Sequence, residues 1–291
     1  MKKKFKYLIL FLSSVVILFL IFISVMVYKV KYGFPIYEKT PPELKIDSLN
    51  FNILVFSKTN GFAHNDAIDK ANSFFRILER NNNWKFTFSN NGAVFNKKQL
   101  NNFNLVIWNN VSGRTLNTAQ RNAFKEYMEK KGNFLGIHAA GDDSHHWDWY
   151  YEKLIGAIFS HHSLDPHIQK ATIINKSFDS IYNKNIIPYR WEHYDEWYVF
   201  FNNPKEKNAK ILYSIDGNTI ISNGNISFIV KDKDFGMGKD HPVIWYKCFE
   251  NGNTSVYSSL GHNKESFQNT YYQNILENII LSIEQKKGLC N

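Results

Sequence analysis

Cysteine is nearly absent: the 291-residue chain has two, Cys248 and Cys290, which excludes a small scaffold stapled by disulfides. Cys248 lies in an apolar, strand-like run and reads as a small buried hydrophobe, while Cys290 is next to last, so no structural disulfide is expected between them. Neither has the setting of a nucleophile. Proline and glycine are also sparse, at 7 and 15, which leaves no room for a collagen-like or low-complexity chain. No acidic residue precedes Glu38. In that acid-free stretch Lys2, Lys3, Lys4, Lys6, Lys29 and Lys31 carry six of the nine net positive charges, which leaves only +3 for the rest. That balance is too small for a phosphate-tracking surface, and no nucleic-acid partner is expected.

What is present begins with Leu8 to Val27, an uncharged run whose only polar residues are Ser13, Ser14 and Ser24. About 20 residues suffice to cross the bilayer hydrocarbon, whereas the apolar region of a cleavable signal is usually about 7–15. No small-residue cleavage site follows, so a retained signal anchor is expected rather than a cleaved peptide. Four lysines before the span against two after it predict a cytoplasmic N-terminus over residues 1–7 and a domain on the extracytoplasmic side. Residues 28–45, with Pro35, Pro41 and Pro42, read as a linker holding the domain off the membrane.

From residue 46 to residue 288 the pattern is that of one α/β domain, with 44% apolar and 16% aromatic residues in the chain to build its core. Strands are expected at Asn52–Phe56, Trp84–Phe88, Leu105–Trp108 and Asn133–Ile137. Between them Ile68, Ala71, Phe75 and Leu78 recur at helical spacing, and Thr118 is placed to cap a helix that runs through Lys130 and ends at Gly132. Later strands are expected at Gln169–Ile174 and Ile211–Ile215, a hairpin at Val243–Phe249 and Thr254–Ser259, and a closing helix at Asn269–Gln285. Strand and helix alternation of this kind predicts a mostly parallel sheet with helices on both faces.

Three histidines fall at carboxyl ends of strands on this map: His64, His138 and His262. That edge of an open parallel sheet is where ligands bind. Gly136–Ala140 has the strand, tight turn and small residues of a nucleophile elbow, but the elbow position holds His138 rather than a thiol or hydroxyl, which disfavours amidase chemistry. Asp195 and Glu196 are adjacent, so within a strand only one faces the crevice. Glu196 is favoured, with Asp195 orienting a histidine or loop. Asp142 or Asp143 is the candidate second carboxylate for glycoside chemistry. His64, His138, His262 and Glu196 together would suit a divalent metal such as zinc, although no short-spaced histidine pair supports one. His145 and His146 are expected to face solvent. Aromatic rings at Trp147, Trp149, Tyr150 and Tyr151, and at Trp191, Tyr194, Trp197 and Tyr198, offer stacking platforms for a sugar, with Asn109 and Asn110 as hydroxyl partners.

The segments Gly61–Phe62–Ala63–His64, Leu116 through Gln120, Gly136–Ala140, Trp147 with Trp149–Tyr150, Asp195–Glu196–Trp197–Tyr198, Asp240–His241–Pro242 with Trp245, and Gly261–His262 occur in that order. Together they resemble the ThuA-like, or trehalose-utilisation, family over roughly residues 50 to 285. The resemblance implies a flavodoxin-like fold similar to class I glutamine amidotransferases without their cysteine, and a role in carbohydrate metabolism. The chain departs from the family at Ala63, usually a long basic residue, and at His161–His162–Ser163, usually one histidine before proline. His162 is taken as the match. The site expected is therefore catalytic His64, His138, Glu196 and His262, with Asn109, Trp147, Asp195, Trp197, His162 and His241 contacting the ligand. His138 or His64 would be the general base, Glu196 an acid or orienter, and His262 a hydroxyl or metal contact. The expected activity is hydrolysis or elimination on a disaccharide or keto-sugar. The alternative is a carbohydrate-binding module without catalysis.

Overall fold

The computed structural model describes residues 2–46, 50–177, 186–225, 233–234, 236–238, 241–287 and 289–290. Asp240, from one of the motifs above, lies outside them. The chain opens with helix α1 (Lys2–Tyr32). Among the described residues it is the one helix long and apolar enough to cross a membrane, with a mean hydropathy of 3.1 over an 18-residue stretch, none of which is buried.

Nine strands form the main sheet: β1 (Phe51–Phe56), β2 (Trp84–Ser89), β3 (Leu105–Asn109), β4 (Asn133–Ile137), β5 (Gln169–Asn175), β6 (Arg190–Asp195), β7 (Lys210–Ile215), β8 (His241–Cys248) and β9 (Thr254–Ser258). Their order is β2-β1-β3-β4-β9-β8-β7-β5-β6. The first five are mutually parallel, and as β2-β1-β3-β4-β9 they repeat the flavodoxin-like order. The pairings from β9 out to β6 are all antiparallel. After four reversals β6 points the same way as β4, so its carboxyl end reaches the same sheet edge.

The strands are apolar on both faces because both faces are covered. In β1, Ile53 and Val55 enter one core with Phe75 and Leu78 of helix α2 (Asn65–Asn81) and Ile275 and Ile279 of helix α4 (Thr270–Gln285). Leu54 and Phe56 enter the opposite core with Phe124 and Met128 of helix α3 (Thr118–Lys130). The alternation is the two-residue period of a strand. The cap of helix α3 lies one residue earlier than expected: Asn117 and Gln120 form a reciprocal capping box, so asparagine rather than Thr118 satisfies the free amide.

Two sequence expectations fail in the frame. The segment read as a spacer lies flat on the domain. Phe34 N donates to Asn60 O at 3.1 Å, Lys58 Nζ binds Glu38 at 2.6 Å, and Gly92 N donates to Glu38 Oε2 at 2.7 Å. Gln120 and Gln99 donate to the carbonyls of Glu38 and Pro42 at 2.9 and 2.6 Å. The carbonyls and carboxylate of this segment find protein donors and act as a strap. The second failure concerns Cys248 and Cys290, which form a disulfide with Cα atoms 5.4 Å apart. After α4 the chain turns back at Lys286, where φ is 52°. Leu289 then packs into the core, which brings Cys290 to the exposed last residue of β8.

Candidate active site

The common sheet edge carries the predicted residues. His138 follows β4 directly, in a left-handed conformation with φ of 48°. A non-glycine residue there is held by its surroundings, and His138 is fully buried with Nδ1 donating to Ser259 O at 2.8 Å. His262 follows β9 after Gly261. Glycine is required at that position: φ is 110°, and a Cβ would lie 2.8 Å from Ile137 Cγ2. Glu196 follows β6. His64 precedes α2, with its ring centroid 4.8 Å from that of His138 and 4.9 Å from that of His262.

These side chains converge on the Glu196 carboxylate. Its Oε2 lies 3.4 Å from His138 Nε2 and 3.5 Å from His262 Nδ1, and those two nitrogens are 3.0 Å apart. Its Oε1 faces His162 Nδ1 at 2.9 Å and His167 Nε2 at 2.6 Å. Side-chain exposure climbs from 0% at His138 through 15% at His262 and 28% at His162 to 43% at His167. The cluster therefore opens to solvent on the His167 side. The Tyr198 ring closes the inner side, 4.4 Å from His138.

Burial alone would raise the Glu196 carboxyl, but the four imidazoles that face it outweigh burial and hold the group well below its ordinary value. It is ionised at neutral pH, which points to orienting rather than acid work. Burial pushes His262 and His162 down, yet the adjacent Glu196 charge leaves both raised. His64 has no such direct partner: burial, then the nearby imidazoles of His138 and His262, push it down to about 2. Its Nδ1 is buried and without a hydrogen-bond partner among the described residues.

Asp195 takes the orienting role. It is fully buried, and its oxygens accept from Gly261 N at 2.8 Å, Glu196 N at 2.9 Å, His262 N at 3.1 Å and Ser266 Oγ at 2.8 Å. His193 Nε2 stands 3.2 Å away. Burial would raise this carboxyl, but these bonds, with His193 first, keep it below its ordinary value.

Other expected contacts lie elsewhere. Asn109 spends its amide on Ile68 O and Asn72 Oδ1. Trp147 stacks on Tyr150 under Arg121, and Trp197 is buried in the core beside His193. His241 is buried with Nε2 against Tyr198 O at 2.9 Å, and burial pushes it down to about 4. Asp142 accepts from Ser144, and burial, with the Glu196 charge among its neighbours, pushes its carboxyl up to about 7; Asp143 is exposed. His145 is buried rather than solvent-facing, with its nitrogens 3.0 and 3.2 Å from Gly113 O and Ala139 O. His146 is exposed and stacks on Tyr32 of α1. A wider cleft of about 1100 Å³ near Trp149 and Lys247 contains none of the histidines.

The sequence reading missed His167, whose signal was a third histidine close behind His161 and His162. It also missed β6, where His193 and Asp195 two residues apart share one face.

The family profile for ThuA, described as trehalose utilisation, matches residues 52–281, most of the chain. The chain belongs to the ThuA family. Two solved structures are similar to it. A putative ThuA-like protein from Bacteroides uniformis superposes with a TM-score of 0.67 and 22% identity, over 88% of this chain and 97% of that one. A putative ThuA-like protein from Parabacteroides merdae gives 0.62 and 16%, over 82% and 91%. At these identities the ThuA-like structures establish the fold alone. No curated protein matches the chain.

Proposed function

We propose that this ThuA-family domain binds a carbohydrate at the Glu196 cluster and acts on it by imidazole acid–base chemistry. The observation that carries the reading is the convergence of His138, His262, His162 and His167 on one buried carboxylate at the sheet edge, with His64 facing it. Binding a sugar needs no such concentration of titratable groups. The family description, trehalose utilisation, supports a disaccharide or keto-sugar as substrate.

In this reading Glu196, fixed by its histidine partners, and the His138–His262 pair hold a hydroxyl or carbonyl oxygen of the sugar. His64, kept neutral by burial and with no partner for Nδ1 among the described residues, faces that oxygen as a hydrogen-bonding imidazole. Among the described residues Glu196 is engaged by histidines and Asp142 by Ser144, so no free pair of carboxylates is set for the two-carboxylate route of most glycosidases. Elimination next to a carbonyl, or hydrolysis run by imidazoles, fits the residues better.

The domain is held at a membrane by α1 and faces away from the cytoplasm. Support comes from the lysines flanking α1 and from the Cys248–Cys290 disulfide, which suits an oxidising compartment.

The test is mass spectrometry of disaccharides and their keto derivatives incubated with the full chain in detergent, beside His64→Ala. A new product that is absent with the variant supports the assignment. Saturable sugar binding with no product across the panel would refute the enzyme and leave a binding module.

A further inference from the structure

The two oxygens of Glu196 have different surroundings. On the Oε1 side the contacts at 2.9 and 2.6 Å are charge-assisted hydrogen-bond lengths. On the Oε2 side the separations to His138 and His262, 3.4 and 3.5 Å, exceed the usual range for such bonds. With the 3.0 Å between the two nitrogens they close a triangle. Four ligands at about 2.0–2.1 Å around a tetrahedral zinc ion stand about 3.3–3.4 Å apart, and the three edges here average about the same. An ion at that distance from all three atoms would lie about 0.7 Å out of their plane.

We infer that His138 Nε2, His262 Nδ1 and Glu196 Oε2 form the ligand face for one divalent ion of the zinc type, and that His162 and His167 fix the carboxylate's other oxygen without binding metal. Two histidines and a glutamate are a ligand set found in catalytic zinc sites, where the remaining position stays open.

Two further observations support the assignment. His138 donates its other ring nitrogen to Ser259 O at 2.8 Å, the second hydrogen bond by which metal-binding histidines are oriented. The backbone of His262 is pinned by Asp195. His64, with a ring nitrogen within 4.8 Å of ring nitrogens of His138 and His262 and no partner for Nδ1 among the described residues, faces the open position. That position would take a hydroxyl or carbonyl oxygen of the ligand. The inference does not depend on the ligand being a sugar.

The experiment is zinc titration of the tag-free full chain in detergent, stripped with chelator, followed by calorimetry and elemental analysis. Cobalt substitution reports the geometry through its visible bands. One equivalent per chain is expected, with a tetrahedral cobalt spectrum. His262→Ala and Glu196→Gln should lose stoichiometric binding while their far-ultraviolet circular dichroism stays native. His167→Ala should keep one equivalent, weakened by no more than about 10–100-fold, as for other outer-shell partners. Absence of binding in the wild type, or one equivalent retained in both His262→Ala and Glu196→Gln, overturns the site. Two equivalents with one lost in His167→Ala overturn the assignment of a single ion. Each of these is read without substrate, so a failed metal site and a failed carbohydrate reading are told apart.

Discussion

Replacing Asp195 by asparagine keeps shape and burial and changes only charge and one acceptor, so its cost can be worked from the hydrogen bonds. If the new amide nitrogen takes the Oδ1 place, two backbone donors, Glu196 N and His262 N, face a donor. If it takes the Oδ2 place, only Gly261 N is stranded, because the Ser266 hydroxyl can rotate and His193 can change tautomer to accept. The second orientation is cheaper. One buried N–H left without an acceptor costs about 1–3 kcal/mol, and turning charged hydrogen bonds into neutral ones removes about 1 kcal/mol from each survivor. Relief of the buried charge offsets part of this. The expected loss is about 3 kcal/mol, which for a domain of this size lowers Tm by roughly 6–12 °C. Near-ultraviolet circular dichroism melts of the full chain in detergent measure it. Ser266→Ala, which removes one donor to the same carboxylate, should cost about 1–2 kcal/mol. An Asp195→Asn change below about 0.5 kcal/mol would refute the view that this carboxylate organises the Gly261–Ser266 loop and through it His262.

Three further outcomes are expected. Gly261→Ala must accept a φ of 110° and crowd Ile137, so guanidinium unfolding should show a loss of at least about 2 kcal/mol; a neutral result would mean that the turn before His262 is not constrained. Removing the disulfide with Cys290→Ser should destabilise the domain by about 2–4 kcal/mol, given a closed loop spanning 42 positions. Thiol titration of the native chain should find no free cysteine, and two reactive thiols would contradict the pairing. In the strap, burial raises the Glu38 carboxyl but Lys58 and Gly92 outweigh it, so its folded value lies below the ordinary 4.5. Stability from a lowered carboxyl is present above the unfolded value and lost as pH falls through the folded one. The difference in Tm between wild type and Glu38→Gln should therefore be full near pH 7 and shrink steadily as pH falls below the ordinary carboxyl range and through the lowered folded value; a gap that does not change between neutral and strongly acidic pH would show that the carboxylate charge is not what holds the strap.

The sequence by itself determined the membrane-length helix, the strand and helix alternation of the first half, and the placing of His64, His138 and His262 at strand ends. These are legible because apolar periodicity reports which face of an element is buried, and because a parallel sheet sends every strand's carboxyl end to one edge. The observed β4 and α3 occupy the spans read from periodicity, Asn133–Ile137 and Thr118–Lys130. Only the tertiary structure decided how side chains at that edge divide their work. Asp195 and Glu196 are neighbours in sequence, yet the carboxylate of one is consumed by the Gly261–Ser266 loop and that of the other by four imidazoles. His167 entered the site, while Asn109, Trp147, Trp197 and His241 found partners elsewhere. His145 became a buried group between two carbonyls. Cys248 met Cys290 because the chain reverses after its last helix. In each case the partner lies across a loop or on a distant strand, and a hydrogen bond or disulfide depends on positions set by strand order and loop path, which local spacing does not encode.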